Sequence, residues 1–99
     1  MYHFVIGDIF VVQGGIRFAL KNGLPSSVYV ALRKNPDLWL HDVKNVSVRT
    51  QNPAAALSVL HKALIAAAGK KYGGTALTKH SRRTARDLQR RYEQNYRVS

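Results

Sequence analysis

The stretch Val46 to Gly69, "VSVRTQNPAAALSVLHKALIAAAG", decides the fold, because the hydrophobic pattern changes within it from that of a strand to that of a helix. Before Thr50 the valines alternate with Ser47 and Arg49. After it, Asn52 suits a helix cap, Pro53 suits the first helical turn, and strong helix formers run on to Gly69, a natural stop. A helix is predicted over Pro53 to Ala68. Only Ser58, His61 and Lys62 are polar in it, and Leu57, Leu60, Leu64, Ile65 and Ala68 fall at helical spacing, so most of its circumference is expected to be buried as the core helix.

Upstream the chain is written in strand language. "YHFVIGDIFVV", "IRFAL", "SVYVALR" and "VKNVSVRT" are rich in β-branched and aromatic residues. Gly14-Gly15, Asn22-Gly23 with Pro25, and Asn35-Pro36-Asp37 separate them as turn signals, with Asn22-Gly23 the best hairpin marker. The prediction is an α+β protein, a small antiparallel β-meander of about four strands followed by two C-terminal helices. A chain of 99 residues suits one domain: a β-rich part at 1–51, the core helix at 52–69 and a basic amphipathic helix at 75–97.

Downstream of the core helix, "GKKYGG" reads as a basic, mobile connector. Its spacing matches neither the P-loop nor the dinucleotide fingerprint. The second helix is expected to start between Thr75 and Ser81, each of Thr75, Thr78 and Ser81 being a candidate cap. Helical projection puts Leu77, Ser81, Ala85, Leu88, Tyr92 and Tyr96 on one side as a seam, and gathers Lys79, Arg82, Arg83, Arg86, Arg90 and Arg97 on the other within an arc of roughly 100°. Asp87 stands four residues from Arg83 and Arg91, and Glu93 stands three from Arg90 and four from Arg97, so helical ion pairs are expected to offset part of the charge.

Sixteen Lys and Arg against five Asp and Glu make the formal charge +11. From residue 70 onward there are nine basic and two acidic residues, so +7 of the +11 resides there. A field of this sign selects polyanionic partners. Arginine dominates, and its planar guanidinium binds phosphate or carboxylate in a two-pronged geometry that an ammonium cannot copy.

Within this segment "SRRTARDLQRRY" resembles the recognition-helix end of some bacterial helix-turn-helix repressors, a likeness of 12 residues. The resemblance implies that Ser81, Arg82, Arg83 and Thr84 approach phosphates and base edges, with Arg86 and Arg90 along the groove wall. Upstream, "TALTKH" is short for the first helix of such a motif, and "GKKYGG" replaces the usual preceding sequence.

The chain has no cysteine, hence no disulfide, thiolate metal site or cysteine nucleophile. His3, His41, His61 and His80 fall in different elements without zinc-ligand spacing, and the five acids form no close pair. His41-Asp42 is the only compact grouping, and a nuclease built from His41, Asp42 and Asp8 finds no support in the pattern. Neither a catalytic site nor a metal or cofactor is expected. Trp39 in "NPDLWLHD" is read as core or an exposed anchor, and Tyr72, Tyr92 and Tyr96 interleave with arginines where they would stack on unpaired bases. The N-terminal "MYHFVIGDIFVVQGGIRFAL" lacks the pattern of a signal peptide or membrane span, so a soluble cytoplasmic protein without membrane partners is expected.

The functional expectation is a non-enzymatic nucleic-acid-binding protein, DNA ahead of RNA, using Lys70, Lys71, Tyr72, Lys79, Arg82, Arg83, Arg86 and Arg90. The alternative is a modulator or inhibitor that docks through the same residues on an acidic surface of a larger enzyme of nucleic-acid metabolism.

Overall fold

The computed structural model describes residues 1–97, with side chains through residue 95. The fold is α+β, a five-stranded mixed sheet with three α-helices. The elements are β1 (Tyr2–Val12), β2 (Gly15–Leu20), α1 (Ser26–Arg33), β3 (Leu38–Leu40), β4 (Asn45–Val48), α2 (Pro53–Ala68), a 3-10 turn (Gly69–Lys71), β5 (Tyr72–Leu77) and α3 (Lys79–Arg97). The sheet order is β3-β4-β2-β1-β5, with β5 parallel to β1 and the other pairs antiparallel.

β1 and β2 form a hairpin through Gln13 and Gly14, whose φ of 78° lies in the region that glycine enters without a Cβ penalty. One extra residue, Gly7, stands between the Ile6–Leu20 and Asp8–Ala19 pairs as a β-bulge. The bulge reverses the alternation: Phe4 and Ile6 point to the core before it, and Ile9 after it, which turns Phe10 outward. Ile16, Phe18 and Leu20 of β2 and Val46 and Val48 of β4 complete the inward face.

α2 lies on that face with Ala56, Leu60, Ala63 and Leu64 buried, over the predicted residues. Its deep side differs from the expected one: Ile65 is 41% exposed and Leu57 half-buried, because alanines at 56 and 63 let the helix approach the sheet along their own stripe. Asn52 caps it, its Oδ1 accepting from Ala54 N (3.2 Å) and Ala55 N (3.4 Å).

Three predictions are corrected. "SVYVALR" is helix α1 rather than a strand: Val28 and Leu32, four residues apart, are buried against the core, and this packing overrides the β-branched composition. Asn22-Gly23 is therefore no hairpin but leads into α1, and Gly23 does not take a positive φ. "YGGTAL" is strand β5 rather than part of a connector and helix; α2 crosses the sheet from β4 and delivers the chain to the free edge of β1, where pairing satisfies its backbone. The three-residue β3, with no turn signal of its own beyond Asn35-Pro36-Asp37, adds the fifth strand.

No helix among the described residues is long and apolar enough to cross a membrane.

Candidate nucleic-acid interface

β5 ends opposite Ile6, and α3 continues beside the second half of β1. Thr78 makes the corner. Its N–H donates to Ile6 O (3.0 Å), its Oγ1 accepts from Ser81 N (3.1 Å) as the helix cap, and its carbonyl accepts from Arg82 N (2.9 Å). Ser81, fully buried, donates its hydroxyl to Ile6 O at 2.7 Å. His80 Nε2 meets Asp8 Oδ1 at 3.2 Å. Farther along, Ala85 and Leu88 pack on the core, and Gln89 Oε1 accepts from Ala54 N at 2.8 Å. The helix is thus tied to β1 at its start and to the N-terminus of α2 near its middle.

Ser81 is buried, and Ala85, Leu88 and Tyr92 are half-buried, as the seam requires. Lys79, Arg82, Arg83, Arg86 and Arg90 are exposed. The side chains of Tyr96 and Arg97, expected on the two faces, lie outside the described residues. Among the described residues the one ion pair is His80–Asp8. Among the described residues neither Asp87 nor Glu93 pairs with Arg83, Arg90 or Arg91, so these arginines keep their charge, and the expected Glu93–Arg97 pair lies outside the described residues. Its first turn holds Lys79 and His80 and no acid, an arrangement that opposes the helix dipole. An approaching anion would relieve that opposition.

Lys70, Lys71 and Tyr72 stand elsewhere. They precede or begin β5, so the length of this six-residue strand, about 20 Å, separates them from the start of α3. Lys71 Nζ lies 5.8 Å from the Tyr2 ring centre. The ring of Tyr72 stacks on Phe4 (6.1 Å) and meets His61 edge-on (5.8 Å), while its hydroxyl bonds to Thr75 Oγ1 (2.8 Å) and His61 Nδ1 (3.3 Å). These internal contacts occupy Tyr72 and leave it half-buried. A cleft of about 380 Å³ lies beside this group, lined by Ala54, Leu57, Ser58, His61, Thr75 and Leu77.

The helix-turn-helix expectation meets a different local structure. "TALTKH" holds the end of β5 and the cap of α3, so a strand and not a helix precedes the arginine helix. Ser81 is buried and Thr84 Oγ1 donates to His80 O (3.0 Å), so neither hydroxyl is presented as the resemblance implies.

His41, Asp42 and Asp8 do not converge. His41 N–H donates to Asn45 O, and Asn45, Ala19 and Asp8 follow as partners across the sheet, which places His41 and Asp8 about 14 Å apart. His41 Nε2 instead bonds to Ser47 Oγ (2.8 Å). Asp42 Oδ1 accepts from Lys44 N (2.8 Å) and Asn45 N (2.9 Å), and these bonds hold its carboxyl below the usual range. Among the described residues no three His, Asp or Glu side chains are grouped to hold a metal ion.

Trp39 is half-buried on the sheet face away from the helices, with the Arg49 guanidinium 5.0 Å from its ring. Neither Arg49 nor Arg17 is among the binding residues expected from the sequence, although the alternation in "IRFAL" and "VSVR" marks both as outward-facing.

Comparison of the chain with protein-family models, with curated proteins and with solved structures found no match.

Proposed function

We propose that this is a small, non-enzymatic, cytoplasmic nucleic-acid-binding protein, with DNA ahead of RNA, that lays α3 against the phosphate backbone. The observation carrying this reading is the stripe of Arg82, Arg83, Arg86 and Arg90, exposed on a helix held at both β1 and α2 and without an ion pair among the described residues. Surface helices ordinarily mix both signs of charge, and four unpaired guanidiniums on one side raise the potential where phosphates would lie. Lys79 extends the stripe. Lys70 and Lys71, a strand-length away, add long-range attraction rather than contacts to the same phosphates.

Binding carried by phosphates depends steeply on salt. With about five phosphates engaged, log K should fall with log[salt] at a slope of about −4.5. The variant R82Q/R83Q/R86Q/R90Q should bind much more weakly and with a shallower slope, while its thermal stability stays near wild type because exposed charges contribute little to folding. A flat salt dependence, or wild-type affinity in the folded quadruple variant, contradicts the proposal.

A further inference from the structure

Residues facing away from the core line up across the sheet. The pairings Trp39–Ser47, Ser47–Arg17 and Arg17–Phe10 set one residue from each of β3, β4, β2 and β1 in a single cross-strand row, about 14 Å long at ordinary strand spacing. None of the four belongs to the core cluster to which all three helices contribute, so the row lies on the open face. An open antiparallel face is normally polar. This one carries two aromatic rings, each under a guanidinium: Arg17 Cζ is 4.5 Å from the Phe10 ring centre, and Arg49 Cζ is 5.0 Å from that of Trp39. Phe10 is 37% exposed. Between the two pairs on β4 stands Ser47, fully buried, its Oγ bonded to His41 Nε2 (2.8 Å), with the His41 ring edge-on to Trp39 (5.7 Å).

Neither guanidinium forms an ion pair among the described residues. Arg49 Nε donates to Pro36 O at 3.1 Å, which anchors that side chain, and Arg17 Nε is buried there without a hydrogen-bond partner. A guanidinium spread over a ring offers a flat cationic plane on which a base can stack, and N–H groups at its rim for a phosphate. Two such units on one row suit the bases and phosphates of an unpaired strand. A duplex, whose bases are stacked on each other, has no free base face to offer them. The row ends on β1, the strand that α3 flanks, so a nucleic-acid strand lying along it is led towards the arginine helix.

Resting on the nucleic-acid reading of α3, we propose that the open sheet face binds single-stranded nucleic acid, its bases stacking on the Phe10–Arg17 and Trp39–Arg49 pairs and its phosphates meeting the two guanidiniums.

Trp39 is the only tryptophan, so its fluorescence reports on the row directly. The full chain is titrated at low salt with oligo(dT) of about 15 nucleotides, within the site sizes of known single-strand binders. End-labelled oligo(dT) and a labelled duplex of equal length measure affinity by anisotropy. Oligo(dT) should quench Trp39 saturably and the duplex should not. Phe10→Ala should weaken oligo(dT) binding about tenfold, the scale of one lost stacking contact, and leave duplex binding unchanged. Arg17→Lys, which keeps the charge but loses the plane, should act in the same direction and tests the row independently if either variant is unstable. Wild-type oligo(dT) affinity in both folded variants, or binding without any change in Trp39 emission, overturns the sheet-face proposal while leaving α3 as the binding element. Binding of neither nucleic acid overturns both.

Discussion

At the scale of single residues, polar contacts decide which groups are presented and which are committed to the fold. Ser81 opens a run of arginines, yet its hydroxyl is spent on Ile6 O, inside the protein. Tyr72 reads as an aromatic within a basic loop, and the structure packs it between Phe4 and His61. Asp42 accepts the N–H groups of Lys44 and Asn45 and so closes the β3–β4 turn as a carboxylate. Its folded carboxyl titrates below the ordinary 3.8, so this contribution is present above that value and is lost as pH falls through the lower folded one. Asp42→Ala should therefore melt below wild type at neutral pH, with the gap closing as the pH falls below the ordinary 3.8 and through the lower folded value. A gap that persists undiminished in acid contradicts that role.

At the scale of elements, α2 and α3 share a cap. Ala54 N–H donates to Asn52 Oδ1 at 3.2 Å and to Gln89 Oε1 at 2.8 Å, one acceptor local and the other contributed from α3. Loss of an N-cap ordinarily costs about 1 kcal/mol. At Ala54 N–H each acceptor covers for the other, whereas Ala55 N–H depends on Asn52 alone, so Gln89→Ala should cost less than that and Asn52→Ala no more than that. The double variant should lose more than their sum by about 0.5 kcal/mol or more, measured by chemical denaturation; strict additivity would disprove the shared cap. The limits of α2 were legible because Asn52, Pro53 and Gly69 act within one turn of the backbone. α1 was not, since Val28 and Leu32 become a buried helical pair only when α2 lies beneath them. Nor was β5 legible: nothing within "YGGTAL" marks it as a strand, and its partner, β1, lies about 70 residues earlier.

At the scale of the whole molecule, one sheet separates a helical side from an open side, and α3 flanks the second half of β1. If α3 meets phosphates, affinity capture from a nuclease-treated lysate should lose every partner. A stoichiometric protein that survives nuclease would favour docking on an acidic protein surface instead. The charge, its concentration after residue 70, the core helix and the two faces of α3 all follow from composition and helical spacing, properties of neighbours along the chain. Which strands pair, where the sheet is left open, and that Trp39, Arg17 and Phe10 stand in one row depend on register between distant segments. Register is set by the bulge at Gly7 and by the burial of one face, and neither exists until the strands meet.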